Sequence, residues 1–313
     1  MSTENEPAAT SDAAPRGNWV IVFGNPRAGA SDRPHILTNA VEKLKDAGFD
    51  VQLITSPDEL TQATQRSETG RKLRSVVAAG GDGTVQLVVN RVPAGTPVSF
   101  LPMGTENLLA KYFQISAEID DVVATVQSGV IRQFDAGRVG SQLFLIMLSC
   151  GFDAEVVRRL HEGRSGHIHH LSYAKPILDA IRNYEYPEIR VTCEVLNEQG
   201  EWESRSSSAH WAFVFNIPAY AAGLPIAKEA DPNDGQLDVC TFRGGSLPAG
   251  LFHLGTVVFG QHGEWSDSHK WRVRHVHLAS SAPVPIQVDG DPWGHLPVDI
   301  GVAPHRLTLL VPQ

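Results

Sequence analysis

The chain predicts an α/β domain with a parallel sheet, followed by a mainly β, sandwich-like domain. Three observations predict that order. From residue 19 apolar runs alternate with helical patterns in a βαβαβ rhythm. Each of those runs ends at a loop rich in glycine or small polar residues. After about residue 134 the spacing changes to short apolar segments separated by Gly, Pro, Ser and Asn. With 313 residues, 42% of them hydrophobic, the chain is long enough to bury two cores.

Residues 1–17, rich in Ala, Ser, Thr, Glu and Pro and without the apolar centre of a secretory signal, read as a disordered tail. The first domain takes residues 18–133. Its first strand, 19–23, runs into Gly24-Asn25-Pro26-Arg27-Ala28-Gly29. Ile36, Leu37, Ala40, Val41, Leu44 and Ala47 then share one face of a helix that Gly48 closes. Residues 51–54 form the next strand, and Ser56 caps a helix with Pro57 in its first turn. A further apolar run leads into Gly80-Gly81-Asp82-Gly83-Thr84 and a helical pattern, and the strand at 98–101 leads into Pro102-Met103-Gly104-Thr105-Glu106-Asn107.

The second domain takes residues 134–313, with a last strand that returns to the first. Residues 130–139 and 143–152 read as two strands joined at Gly140-Ser141, and 171–184 as a helix. Further strands fall at 189–196, 210–216, 237–242, 271–278, 286–288 and 307–311.

Composition removes several classes of function. A formal charge of −9 lacks the basic footprint of a nucleic-acid binder. Cys150, Cys193 and Cys240 lie far apart with no CxxC spacing, so neither a zinc knuckle nor a disulfide framework is indicated, and a reducing cytoplasm is the simplest home. No run reaches the ~20 apolar residues of a membrane-spanning helix. Any membrane contact is therefore peripheral, at the inner face.

The glycine loops carry the functional reading. Three glycines in four positions let backbone N–H groups approach an anion, and the helix that starts near Thr84 aims its positive end at the same place. A tight turn would have the same composition. The second strand–Gly-Thr–helix junction at Gly104-Thr105 makes one nucleotide site from the pair. In a parallel sheet, ligands bind beyond the carboxyl ends of strands, where Asn25, Thr55, Gly81 and Gly104 all fall.

Taken together these segments resemble the diacylglycerol kinase catalytic-domain family, which includes bacterial lipid kinases and sphingosine kinases. Six motifs follow in that family's order: Asn25 to Gly29, Gly80 to Thr84, Pro102 to Asn107, Gly151-Phe152-Asp153-Ala154, Asp234-Gly235-Gln236-Leu237-Asp238-Val239 and Val288-Asp289-Gly290-Asp291-Pro292. NAD kinases share the Gly-Gly-Asp-Gly loop, but the Gly-Thr-x-Asn and Asp-Gly-x-Leu-Asp segments are more similar to those of the lipid kinases.

The resemblance implies ATP, held in the interdomain cleft with Mg²⁺, and a lipid acceptor at a membrane surface. Asn25, Thr55, Gly80, Gly81, Gly83, Thr84, Gln86, Gly104, Thr105 and Asn107 are then nucleotide contacts, with the amides of Gly81, Gly83 and Thr84 on the phosphates. Asp82 reaches the nucleotide's Mg²⁺ or shares the work of the base. Asp291 stands where the family has the Glu that takes the acceptor's proton. A second Mg²⁺ maps onto Asp234 with backbone oxygens of Asp231 and Gln236.

Three departures from the family pattern weaken those expectations. Asp291 is one methylene shorter than Glu, which sets its oxygens back by about 1.5 Å, and a misplacement near 1 Å costs about a hundredfold in rate. Gln86 replaces a usual Asn, and Leu108 a frequent Asp. Asp289 and Asp291, beside Gly290 and Pro292, also have the composition of a turn at a strand end, and so do Asp234 to Asp238. His161, His167, His169 and His170 lack the spacing of a zinc site and read as a solvated loop that, with Arg158 and Arg159, would meet anionic headgroups. The apolar stretch 247–259, and Tyr173, Ile177, Ile181 and Tyr184 at helical spacing, are lipid-facing or core. Lipid phosphorylation is the leading expectation. A catalytically weakened nucleotide-binding regulator, or a kinase of a soluble alcohol or NAD, are the alternatives.

Overall fold

Strands buried on both faces carry unbroken rather than alternating apolar runs. In the computed structural model, which describes residues 12–13, 17–24, 33–65, 71–162, 184–196, 199, 201–220, 224–244 and 268–313, such runs build two compact units, 1–134 with 305–313, and 135–304.

The first unit contains β1 (Asp12–Ala13), β2 (Trp19–Gly24), α1 (Arg33–Asp46), β3 (Asp50–Ile54), α2 (Pro57–Gln65), β4 (Leu73–Gly80), α3 (Asp82–Arg91), β5 (Pro97–Pro102), α4 (Leu108–Tyr112) and α5 (Ile119–Ser128). Its strands pair in parallel in the order β3-β2-β4-β5, and Thr308 and Leu309 add a parallel partner to β5. Val20, Val22, Val77, Ala79 and Leu101 pack against Ala40 and Leu44 of α1 and Val122 and Val126 of α5. The residues that alternate with them, Ile21, Phe23, Val76 and Ala78, are equally buried, on the face opposite. There α2 and α3 pair with one another, and α3 lies on β4. Helices on both faces are what a parallel sheet requires.

Because β2 connects to β3 on one side and lies beside β4 on the other, the chain reverses direction across the sheet between β2 and β4. That is the switch point where α/β sheets take ligands. Helix α3 is held at its far end by Arg306, whose Nη2 donates to the carbonyls of Val89 (2.5 Å) and Val92 (2.7 Å). Arg74 does the same for α5, donating to Val126 and Gln127 at 2.7 Å each. In the segment read as a disordered tail, Asp12 and Ala13 pair antiparallel with Ile131 and Val130; the tail's residues 1–11 and 14–16 lie outside the described ones.

The remaining elements are β6 (Val130–Val139), β7 (Gln142–Phe144), β8 (Met147–Gly151), α6 (Phe152–Glu162), β9 (Ile189–Leu196), β10 (Trp202–Ala209), β11 (Trp211–Phe215), β12 (Ala219–Tyr220), β13 (Leu224–Pro225), β14 (Leu237–Phe242), β15 (Ser268–Ala279), β16 (Pro285–Val288), β17 (Asp291–His295) and β18 (Val298–Val311). In the second unit antiparallel pairing runs β17-β16-β8-β11-β14-β15, with β15 continuing to β18 and to β9, and β9 to β10. The core of this unit comes from strands, with Phe144, Leu148, Cys150, Val191, Val214, Val239, Val276 and Ile286 at its centre. The mainly β expectation holds.

Besides β1, α5 and β17, which the sequence reading did not mark, two stretches of the second unit differ from it. The single strand expected at 143–152 is broken into β7 and β8, and α6 begins at Phe152, after Gly151 turns the chain at φ +100°. The strand β10 carries the polar sequence Trp-Glu-Ser-Arg-Ser-Ser-Ser-Ala and was invisible to an apolar criterion; it pairs with β9 over eight residues while most of its side chains stay in solvent. The expected helix at 171–184, save its last residue, and the apolar stretch 247–259 lie outside the described residues.

All three cysteines are free and buried. Burial pushes the thiols up to about 12 for Cys150 and Cys240 and about 11 for Cys193, so little thiolate exists at neutral pH. An aromatic disulfide reagent at pH 8 is expected to label none of them in the native protein and all of them in denaturant; rapid native labelling would show that these strands open.

Candidate active site

The parallel strands of the first unit bring Gly24, Ile54, Gly80 and Pro102 to one edge of the sheet. Two of the loops that follow touch. Met103 N–H donates to the Gly80 carbonyl at 2.9 Å. A Cβ on Gly104 would lie 2.5 Å from the Gly81 Cα and 2.6 Å from Asn107 Oδ1, so at this point backbone packs on backbone and no side chain fits. Gly80 is closed in the same way, by the Thr84 side chain at 2.1 Å from such a Cβ. Around Gly83, in contrast, an added Cβ meets nothing within 4 Å.

Asp82 ties the two loops. Its Oδ2 accepts from Leu108 N–H at 3.0 Å and its Oδ1 from Leu109 N–H at 2.9 Å, which caps α4 from a different segment of chain. Burial pushes its pKa up, against those same amides and Lys111. Asn107, in the left-handed region at φ 48°, clips its own loop: Oδ1 accepts from Gly104 N–H and Nδ2 donates to the Gly104 carbonyl, both at 2.9 Å. Of the side chains expected to face a nucleotide, Asp82 and Asn107 thus make hydrogen bonds to the loops themselves.

The Thr84 amide also differs from expectation. It donates to the Gly81 carbonyl at 2.9 Å, as Val85 N–H does at 3.2 Å. The N–H groups of Gly81 and Gly83 head α3, where no preceding turn supplies an acceptor. Thr84 and Gln86 are buried, whereas Thr55, Gly83 and Thr105 are exposed. Asn25 and its loop lie outside the described residues, as do His167, His169 and His170.

In the second unit the segment 287–291 is held as tightly. Asp289, at φ 49°, accepts three amides: Leu145 at 2.8 Å, and Ile146 and Met147 at 2.9 Å. This capture is what breaks the strand expected at 143–152, since amides that point to a carboxylate cannot continue a ladder. Gln287, buried, donates from Nε2 to Ser149 Oγ at 2.9 Å and to Asp153 Oδ2 at 3.2 Å, and its Oε1 accepts from Gly290 N–H at 2.8 Å. Ser149 in turn donates to Asp153. Of the two aspartates in the motif, Asp289 therefore does the work of the turn. Asp291 remains with its side chain 56% exposed, 3.3 Å from His161 Nε2.

Sequence reading missed that His161 contact because it missed α6. The signal was present: Glu155 precedes Arg158 and Arg159 at helical spacing and pairs with both, with acidic residues in the first turn and basic ones in the last. Those pairs, despite burial, hold Glu155 below the usual carboxylate range.

Asp231, Asp234 and Gln236 share one turn. Asp234 Oδ1 accepts from Gln236 N–H at 2.9 Å, and Asp231 Oδ1 from Asn233 N–H at 3.0 Å. Burial raises the Asp234 pKa, and Asp231 and Asp135 add to the rise against the Gln236 amide and Arg272. Among the described residues no three or more His, Cys, Asp or Glu side chains are grouped to hold a metal. A cation here would rest on one carboxylate and carbonyl oxygens, donors that suit a hard ion, and it would offset the crowding of negative charge.

Residues 19–139 match the family described as the diacylglycerol kinase catalytic domain, and 146–311 the family described as the YegS C-terminal NAD kinase beta sandwich-like domain. A diacylglycerol kinase of Mycobacterium tuberculosis is 27% identical over 303 residues, covering 94% of this chain and 95% of that protein. One from Bacillus subtilis is 24% identical, covering 88% and 90%. The crystal structure of a diacylglycerol kinase from Bacillus anthracis superposes with a TM-score of 0.67 at 17% identity, over 95% of this chain and 98% of that one. An NAD kinase from Archaeoglobus fulgidus in complex with ATP reaches 0.50 at 13% identity, over 94% and 93%. Among the described residues no helix is long and apolar enough to cross a membrane.

Replacing Asp289 by alanine strands three amides in a partly buried turn. It is expected to destabilise the protein by about 3 kcal/mol, read as a lowered denaturant midpoint. An unchanged midpoint would mean the turn holds without its carboxylate.

Proposed function

Because the chain belongs to the diacylglycerol kinase catalytic-domain family, we propose that it transfers the γ-phosphoryl group of ATP to the hydroxyl of a diacylglycerol-like lipid. At the level of the family it is a lipid kinase, a phosphotransferase acting on an alcohol. The observation that carries the finer reading is the pair of glycine loops in backbone contact at the carboxyl edge of a parallel sheet, tied by Asp82. Phosphoryl transfer asks mainly for positioning and charge stabilisation, and loops so held need little reorganisation to receive a triphosphate.

In this reading the Gly81 and Gly83 amides meet the phosphates, and Thr55 and Thr105 border the nucleotide. Asp82 serves by fixing the distance between the loops. Asp291 takes the acceptor's proton as the new oxygen–phosphorus bond forms and the bond to the β–γ bridging oxygen breaks, leaving ADP. Mg²⁺, when bound, neutralises phosphate charge; a second ion on Asp234 and the carbonyls of Asp231 and Gln236 would steady that turn. The lipid is met from the surface of the inner membrane leaflet. A regulator that binds nucleotide without efficient transfer is the second reading, and the short, exposed side chain of Asp291 is what favours it.

Purified protein with ATP, Mg²⁺ and a lipid extract in vesicles should yield a phosphorylated lipid by mass spectrometry. Asp291→Asn should lower that transfer by at least about a hundredfold with ATP binding intact. ATP binding with no phosphorylated lipid from the wild type would establish the regulator instead, and transfer that needs no vesicles would point to a soluble alcohol.

Gly83→Ala isolates the phosphate contact. The added methyl group has open space and alanine is the better helix former by about 1 kcal/mol, so stability should hold or rise while ATP affinity falls. Full affinity in this variant would place the phosphates elsewhere.

A further inference from the structure

A carboxylate that works as a base has to be aimed, and Asp291 is built without that guarantee for its side chain. It is one methylene shorter than the family's Glu, and its side chain is 56% exposed. Its backbone, by contrast, is closely determined. Asp289 is anchored by three amides on one side, and Gly290 N–H is held by Gln287 at 2.8 Å. What remains free is rotation of the Asp291 side chain.

His161 reaches that side chain from α6. The helix starts at Phe152, and Asp153 binds the same Gln287 and Ser149 side chains that lie under the turn. One buried network therefore locates both the start of α6 and the turn that carries Asp291. From Phe152 the helix runs nine residues to His161, a rod of roughly 13 Å at 1.5 Å per residue, and packs on β8, β16 and β17. Its Nε2 arrives 3.3 Å from Asp291 Oδ1, with the His161 side chain only 22% exposed. The other cations of the helix are engaged, Arg158 by Glu155 and Glu162 and Arg159 by Glu155. Of the strands against which α6 packs, β16 carries no titratable side chain, β8 only the buried Cys150, and β17 only Asp291 itself and His295. Among the described residues, His161 is the basic group at ion-pair distance from Asp291.

We infer that His161 is the positioning residue of the base, an imidazole that fixes the Asp291 carboxylate and so makes the shorter acid serve where the family carries Glu. This rests on the proposed role of Asp291. In this role His161 acts through Asp291 alone.

The test compares His161→Ala, His161→Gln, Asp291→Glu and the double variant Asp291→Glu/His161→Ala. The acceptor is the lipid that gains phosphate in the vesicle assay. His161→Ala should lower kcat by roughly tenfold or more with KM for ATP unchanged. His161→Gln, which keeps a donor, should recover much of the rate. With the longer acid in place, removal of His161 should change kcat little. Melting temperatures separate these effects from unfolding. Transfer that is lost in Asp291→Asn but unaltered in rate in His161→Ala sinks the inference alone, as does an equal His161 dependence with Glu at 291. Full transfer by Asp291→Asn, or none by the wild type, sinks the reading beneath it.

Discussion

Carboxylates that accept backbone amides are the interaction on which the candidate site depends. Asp82 takes Leu108 and Leu109, and Asp289 takes Leu145, Ile146 and Met147. In each case a short acidic side chain fixes the relative position of two segments distant in sequence, and each bond is stronger than a neutral one because the acceptor is charged. Burial works against the charge at Asp82 and raises its pKa, so the loops exist at some electrostatic cost. The return is geometric: Gly81 and Gly104 can touch only if something holds α4 against the start of α3.

That arrangement bears on what the acids of the motifs do. An aspartate in Gly-Gly-Asp-Gly invites a catalytic or metal-binding reading, and so does the first aspartate of Asp-Gly-Asp. Both accept backbone amides here. Asp291 is the acid left facing solvent with a histidine beside it. The same network of Gln287, Ser149 and Asp153 underlies the turn and the start of α6. Phe152, next in the chain, stacks on Tyr186 and Trp211 at 5.6 and 5.0 Å between ring centroids. One helix start thus anchors a polar network on one side and an aromatic cluster on the other.

Much of this was legible beforehand. The continuous apolar runs of 19–23 and 98–101 gave the parallel strands, Gly48 and Ser56 the helix ends, and the glycine pairs the two touching loops, because each of these signals is local. Less legible were elements whose reason lies elsewhere in the chain. The polar strand β10 exists because β9 offers it a ladder. The break between β7 and β8 exists because Asp289, more than 140 residues away, takes the amides.

What the sequence alone determined is the alternation of strands and helices in the first unit up to residue 107, the α/β and then mainly β classes, and the placing of glycine where backbone has to approach backbone. What only the tertiary structure decided is the employment of the side chains: which aspartate braces a loop, which stays open to solvent, and that His161 comes to stand by Asp291. Secondary structure follows from near neighbours and their period, but the partner of a carboxylate is chosen by whichever amide or imidazole the fold carries to within about 3 Å.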